Sequence, residues 1–209
     1  MDYFAARQNM VESQVRVNDV TDPALQKAMR HIERERLVAP GQGFAAYGDV
    51  EPQIAPGRAL MLPRDLAKLL HALKPVAGLK ALAIGAPYAA AVLKHAGLDV
   101  TAQEADARVQ TVVEPYLKTL GVPVVAQDFK TPAAGEYDIV VTEGAVEEIP
   151  AEWFAALKLH GRLGVVLRAG ALGEARVYTR LPHGVSEAFI FNAATAVLPG
   201  FAKASTFVF

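Results

Sequence analysis

The chain has no cysteine. A disulfide scaffold, a zinc–thiolate site and a thiol nucleophile are therefore excluded. It also lacks an excess of either charge: 21 Lys and Arg stand against 22 Asp and Glu, for a formal net charge of −1. Without a basic surplus the electrostatic footprint of a non-specific nucleic-acid binder is missing, and no nucleic-acid partner is expected. Long apolar runs are lacking too. The longest, residues 81–93, is broken by Gly85 and Pro87 and falls short of a membrane span, so no membrane partner is expected either. The opening residues, MDYFAARQNMVESQVR, carry charges where a secretory leader needs an apolar stretch. A soluble cytoplasmic protein is the expectation. What is present, 209 residues of which 52% are apolar and 21% charged, suffices for one domain with a sizeable core.

Two patterns divide the chain. Asp22-Pro23 supplies a cap and a first-turn proline, after which Leu25, Ala28, Met29 and Ile32 share one helical face. The mixed-sign run Glu33-Arg34-Glu35-Arg36 then reads as the solvated end of that helix. Residues 38–63 are rich in Gly and Pro and read as a long irregular segment. Pro63 opens a second helix with Leu66, Leu69, Leu70 and Leu73 buried. Neither helix buries its stripe alone, so residues 1–78 are expected to be an appendage on a core of residues 79–209, within a single domain.

From residue 79 onward, strands and helices alternate. Strands are expected at 79–84, 98–104, 122–127, 137–142 and 162–167, the last following a His160-Gly161 turn. Helices are expected at 87–96, from Asp106 to a stop at Gly121 with Pro115 kinking or restarting it, and at 150–157. The segments EARVYTRL, SEAFIFN and STFVF then read as strands with no helices between them. This is a doubly wound α/β sheet, mostly parallel, that ends in antiparallel strands.

Ligands of such sheets bind at the carboxyl ends of the strands, beside the first strand-to-helix turn. Here that turn is Ile84-Gly85-Ala86-Pro87-Tyr88, with one glycine where a nucleotide cofactor normally needs two or three. It suits a tight structural turn as well as a degraded cofactor turn. Glu104, at the end of the second strand, is placed to accept hydrogen bonds from two ribose hydroxyls, or to favour the start of the next helix. Asp128 stands where it can reach an adenine edge or cap the following turn. Thr142 and Glu143 border the same crevice. The histidines at 31, 71, 95, 160 and 183 have no metal-ligand spacing, and Ser13, Ser186 and Ser205 lack a nucleophile-elbow context. No metal and no covalent machinery are expected, which suits a chemistry that only positions two substrates.

Several stretches resemble the protein-L-isoaspartate O-methyltransferase family. RQNMVESQVRVNDVTDPALQKAMRHIERERLV, residues 7–38, is similar to its N-terminal helices, and AYGDVEPQIAPGRALMLP, residues 46–63, to its substrate-side loop. YDIVVTEGAVEEIP, residues 137–150, and LKLHGRLGVVL, residues 157–167, resemble its fourth and fifth strands. The resemblance implies a Rossmann-like, S-adenosylmethionine-dependent fold that methylates isoaspartyl carboxylates in damaged proteins, a repair reaction. It implies S-adenosylmethionine as cofactor, held by Gly85, Glu104, Asp128 and Thr142, and isoaspartyl-containing proteins or peptides as partners.

The departures fall on functional positions. Where the family carries Thr-Ile-Ser-Gln, with its serine in the active site, this chain reads Ala59-Leu60-Met61-Leu62. Where the family carries Gly-x-Gly-x-Gly, it reads Gly85-Ala86-Pro87-Tyr88. Two readings follow: a carboxyl methyltransferase of weakened or lost activity, or a catalytically silent methyltransferase-fold protein, a pseudoenzyme that binds or regulates. The altered turn leads to an expectation that S-adenosylmethionine binds weakly or not at all. Apolar residues 59–62 are expected either to line the crevice or, with Met61, to pack into the core beneath. A nicotinamide-dependent dehydrogenase also suits the strand order and Glu104, but lacks Gly-x-Gly-x-x-Gly.

Overall fold

The computed structural model describes residues 1–170 and 172–202. Asp2 caps the first helix, α1 (Tyr3–Met10), by accepting the Ala5 N–H at 3.0 Å. Asp22 caps α2 (Pro23–His31), taking the Ala24 and Leu25 N–H groups at 2.8 and 3.1 Å, and Leu25, Ala28 and Met29 face inward as their spacing requires. The run that follows α2 departs from the expectation. Ile32 is extended, the helix stops at His31, and residues 34–37 form a separate 3₁₀ turn. That turn swings Arg34 into the interior, where it is wholly buried, so the run is not a solvated helix end.

The Gly- and Pro-rich segment contains a small antiparallel hairpin, β1 (Gln53–Ala55) and β2 (Arg58–Ala59), turning at Pro56-Gly57. Helix α3 (Pro63–Ala72) begins at the expected proline. The alternating part then runs β3 (Lys80–Ile84), α4 (Pro87–His95), β4 (Asp99–Glu104), α5 (Ala107–Thr119), β5 (Val124–Ala126), β6 (Tyr137–Val146), α6 (Ala151–Ala155) and β7 (Leu157–Ala169). Helix α5 continues through Pro115 without restarting. Strand β7 starts before the expected fifth strand. His160-Gly161 lies inside it as an irregularity in its pairing with β6 rather than as a turn, with His160 at φ 65°. The antiparallel strands β8 (Leu172–Leu181) and β9 (Gly184–Ala193) complete the sheet, whereas STFVF lies outside the described residues.

The sheet order is β5-β4-β3-β6-β7-β8-β9, parallel from β5 to β7 and antiparallel beyond. The doubly wound fold with antiparallel C-terminal strands is therefore as expected. Strand alternation sends Ala81, Ala83, Ile139 and Val141 to one face, where they join α4, α5 and the residues of α1 to α3. Leu82, Ile84, Val140 and Leu163 point to the other face, against Phe129 and Trp153. Chain direction across the sheet reverses between β3 and β6, so a crevice is expected beyond their carboxyl ends.

Candidate functional site

Of the residues that sequence places at this crevice, Gly85, Glu104 and Thr142 come together, and Asp128 does not. Strand β3 runs into Gly85, whose φ of 57° allows the chain to turn sharply into α4. Its N–H donates to the Gln103 carbonyl at 2.8 Å, tying the turn to β4. Glu104 ends β4 and Thr142 pairs with Ile84 across β6, both buried. Asp128 lies apart from this contact set. Its carboxylate accepts the Lys130 N–H at 2.8 Å, which is the turn-capping role. The loop around it is pinned by Gln103, whose amide donates to the Asp128 and Thr131 carbonyls at 2.6 and 2.9 Å and accepts the Ala133 N–H.

The crevice is occupied by the protein's own side chains. Arg58, on β2, reaches in and donates from Nη1 to Glu104 Oε1 at 2.8 Å and from Nη2 to the Gly85 carbonyl at 3.0 Å. The two charged side chains are 2% and 3% exposed. The guanidinium lies 5.1 Å from the centre of the Phe129 ring. Phe129 also crowds Gly85: a side-chain carbon there would sit 3.3 Å from its ring. The Trp153 indole holds this loop by donating to the Phe129 carbonyl at 2.8 Å.

On the other side of the turn, the N-terminus of α4 meets Glu143. Pro87 has no N–H, and the Tyr88 N–H donates to Glu143 Oε2 at 3.0 Å. Helix donors that would otherwise face an anionic group are thus spent on an internal carboxylate. Burial pushes the Glu143 carboxyl up to about 7, against the pull of Arg34, the α4 amides and Arg58. Arg34 donates from Nε to the Ala46 carbonyl at 2.7 Å and from Nη2 to the Met61 carbonyl, and stacks 4.5 Å over Tyr88. Met61 itself is 1% exposed and belongs to the core with Leu60. Its side chain does not line the crevice; that space is taken by Arg58.

A strap of residues 194–201 lies along the end of β6. Ala145 donates to the Ala196 carbonyl and receives the Leu198 N–H, both at 2.8 Å, and Thr195 hydroxyl donates to Glu51 at 2.5 Å. Leu198 packs so close to Gly144 (φ 132°) that an added Cβ would stand 2.7 Å from it. Among the described residues, a cavity of about 10 Å³ remains between Arg58, Glu143 and the strap, and another of about 10 Å³ beside Pro87 and Glu104. Each has room for about one water.

These residues do not fit a nucleoside cofactor with a charged end: the Glu104 carboxylate is paired with Arg58, the Tyr88 N–H is used by Glu143, and little volume is left beside them. The reading of residue spacing missed Arg58, Arg34 and Phe129. One signal was available for Arg58, which is the sole charged residue between Glu51 and Arg64, in an otherwise apolar and Gly/Pro-rich loop.

A model of the protein-L-isoaspartate(D-aspartate) O-methyltransferase family matches residues 5–184. A protein-L-isoaspartate O-methyltransferase of Rhodopseudomonas palustris is 34% identical over 179 residues, covering 82% of this chain and 81% of its own length. One from Methylorubrum extorquens is 33% identical over 168 residues, covering 78% and 74%. Among solved structures, a protein-L-isoaspartate O-methyltransferase superposes with a TM-score of 0.79 at 18% identity, over 93% of this chain and 66% of that one. A Plasmodium falciparum chain described as a putative member, in complex with S-adenosyl-L-homocysteine, superposes at 0.78 and 13% identity over 92% and 97%. At those identities the solved structures establish the fold alone.

Proposed function

The chain belongs to the protein-L-isoaspartate(D-aspartate) O-methyltransferase family, and from that premise we propose that it is a member whose S-adenosylmethionine-dependent methylation of isoaspartyl carboxylates is residual or lost. One observation carries the reading: among the described residues, the voids beside Arg58 and Glu143 and beside Pro87 and Glu104, in the crevice that the family's cofactor requires, are about 10 Å³ each. Gly85, Glu104, Asp128 and Thr142 mark an inherited cofactor crevice, and Met61 stands in place of the family's serine. A peptide carboxylate entering so dry a site loses its water without regaining hydrogen bonds, at about 1–3 kcal/mol per unmatched group. The same closure favours the second reading, a silent methyltransferase-fold protein that binds a partner through another surface.

In this reading residues 1–209 form one methyltransferase-like domain, with residues 1–78 as an appendage on the core of 79–209. Partners are isoaspartyl-containing proteins or peptides, as for the family, and the location is cytoplasmic. Among the described residues no helix is long and apolar enough to cross a membrane. The test is incubation with methyl-labelled S-adenosylmethionine and an isoaspartyl peptide, alongside calorimetric titration with S-adenosylmethionine and S-adenosylhomocysteine. Transfer at the no-protein rate and no saturable heat are expected. Saturable binding at low micromolar concentration, or robust transfer, would overturn the reading.

A further inference from the structure

We infer that Arg58 is an internal ligand of the crevice, holding the place of a nucleoside, and that its removal uncovers a nucleoside site built on Glu104, Gly85 and Phe129. The inference rests on the closed-crevice reading above and concerns what closes it. Three different elements supply the groups that the guanidinium touches. A carboxylate ends β4, a carbonyl sits in the β3–α4 turn, and an aromatic face comes from the loop after β5. Two acceptors beside a π-face form a recognition set for a planar ring bearing a diol, and the guanidinium, planar and rich in donors, satisfies the same set.

Arg58 fits this set from one end only. Its two terminal nitrogens are bonded, yet its buried Nε has no partner. It borders the void shared with Glu51, Glu143 and Thr195. A side chain placed for packing alone gains nothing from an orphaned donor. The carrier is also a separate piece: β1 and β2 are three and two residues long, and nothing lies within 4 Å of where a side chain at the turn residue Gly57 would project. Arg58 thus enters the crevice from a short hairpin rather than from the sheet that forms it.

The experiment compares the wild-type protein, Arg58→Ala and Arg58→Ala/Glu104→Gln by calorimetry, with adenosine and 2′,3′-dideoxyadenosine as probes. Arg58→Ala is expected to bind adenosine at least tenfold more tightly than wild type, and dideoxyadenosine no more tightly than wild type. The double variant is expected to lose the gain, because an amide leaves one accepting oxygen, already engaged by the Asp106 N–H in the carboxylate, and turns a donor toward the diol. A folded Arg58→Ala that gains nothing overturns the inference, as does an equal gain for the dideoxy probe. Since Glu104 loses its charge partner in Arg58→Ala and keeps the Asp106 N–H at 3.0 Å, urea unfolding is followed with and without adenosine. A midpoint raised by adenosine in the variant and not in wild type supports the inference. A variant that stays unfolded in adenosine overturns it, since the nucleoside then fails to replace the guanidinium. If wild type itself binds S-adenosylmethionine and transfers methyl groups, the closed-crevice reading fails; if wild type and Arg58→Ala are both silent, only this inference does.

Discussion

Replacing Glu143 by glutamine separates a carboxyl held in a dry interior from one bathed in solvent. Burial raises this group from its ordinary 4.5 to about 7, even though Arg34, Arg58 and the α4 amides favour the charged form. Between those two values the folded protein holds a proton that the unfolded chain releases. The favourable contribution is therefore complete below about 4.5 and is lost as the pH rises through about 7. At about 1.4 kcal/mol per unit, the gap amounts to about 3 kcal/mol. Glutamine retains an oxygen for the Tyr88 N–H but does not titrate. Urea unfolding of both proteins at about pH 5 and pH 8 gives the comparison, and every other titrating group cancels in the difference. Wild type should fall by about 2.5 kcal/mol relative to Glu143→Gln across that interval. A gap independent of pH would refute the reasoning, for it would mean that water reaches the carboxyl and the crevice is open. A gap that moves the other way would mean that the two arginines outweigh burial.

Three further substitutions probe the same region. Met61→Ser restores the residue type of the family's active site, but the side chain points into the core, so it should cost about 3–5 kcal/mol in urea and leave labelled methyl transfer at background. Gly144→Ala places a carbon 2.7 Å from Leu198 at a φ that disfavours a side chain, and should lower unfolding free energy by about 1–3 kcal/mol. Arg34→Met strips the Ala46 and Met61 carbonyls of their donor and should cost about 3 kcal/mol or more. It should also push the Glu143 transition to still higher pH, read from the same pH series, because Arg34 leads the groups holding it down.

The parts of the fold that were legible in the sequence are those governed by local rules. Asp22-Pro23, Pro63 and Asp106 each start a helix because capping depends on neighbours within a turn, and β3 and β6 stand out because burial on both faces demands continuous apolar runs. Glu104 and Thr142 were placed by topology, since Glu104 ends β4 and Thr142 lies level with the end of β3, beside the switch point. Arg34 was misread because its burial depends on carbonyls 12 and 27 residues away and on the ring of Tyr88. Nothing within its own helical turn signals that. Arg58 was missed for the same reason: its partner Glu104 is 46 residues distant. A charge run on a helix and a lone arginine in a loop look alike whether they meet water or an interior acceptor, and only three-dimensional closure decides.

Helix α4 carries one more consequence. Every residue from Pro87 to Leu93 is buried, and its run of alanines lets strands and helices crowd it from all sides. Its backbone amides have no route to deuterated solvent by fraying or by a local opening that leaves the neighbours in place. Their exchange should therefore proceed through global unfolding alone, with protection equal to the full stability of the fold. Amides at the ends of α1, by contrast, should exchange within the dead time of the measurement. The helix that seals one side of the crevice thus becomes the internal gauge of whole-molecule stability, readable at single residues without any denaturant.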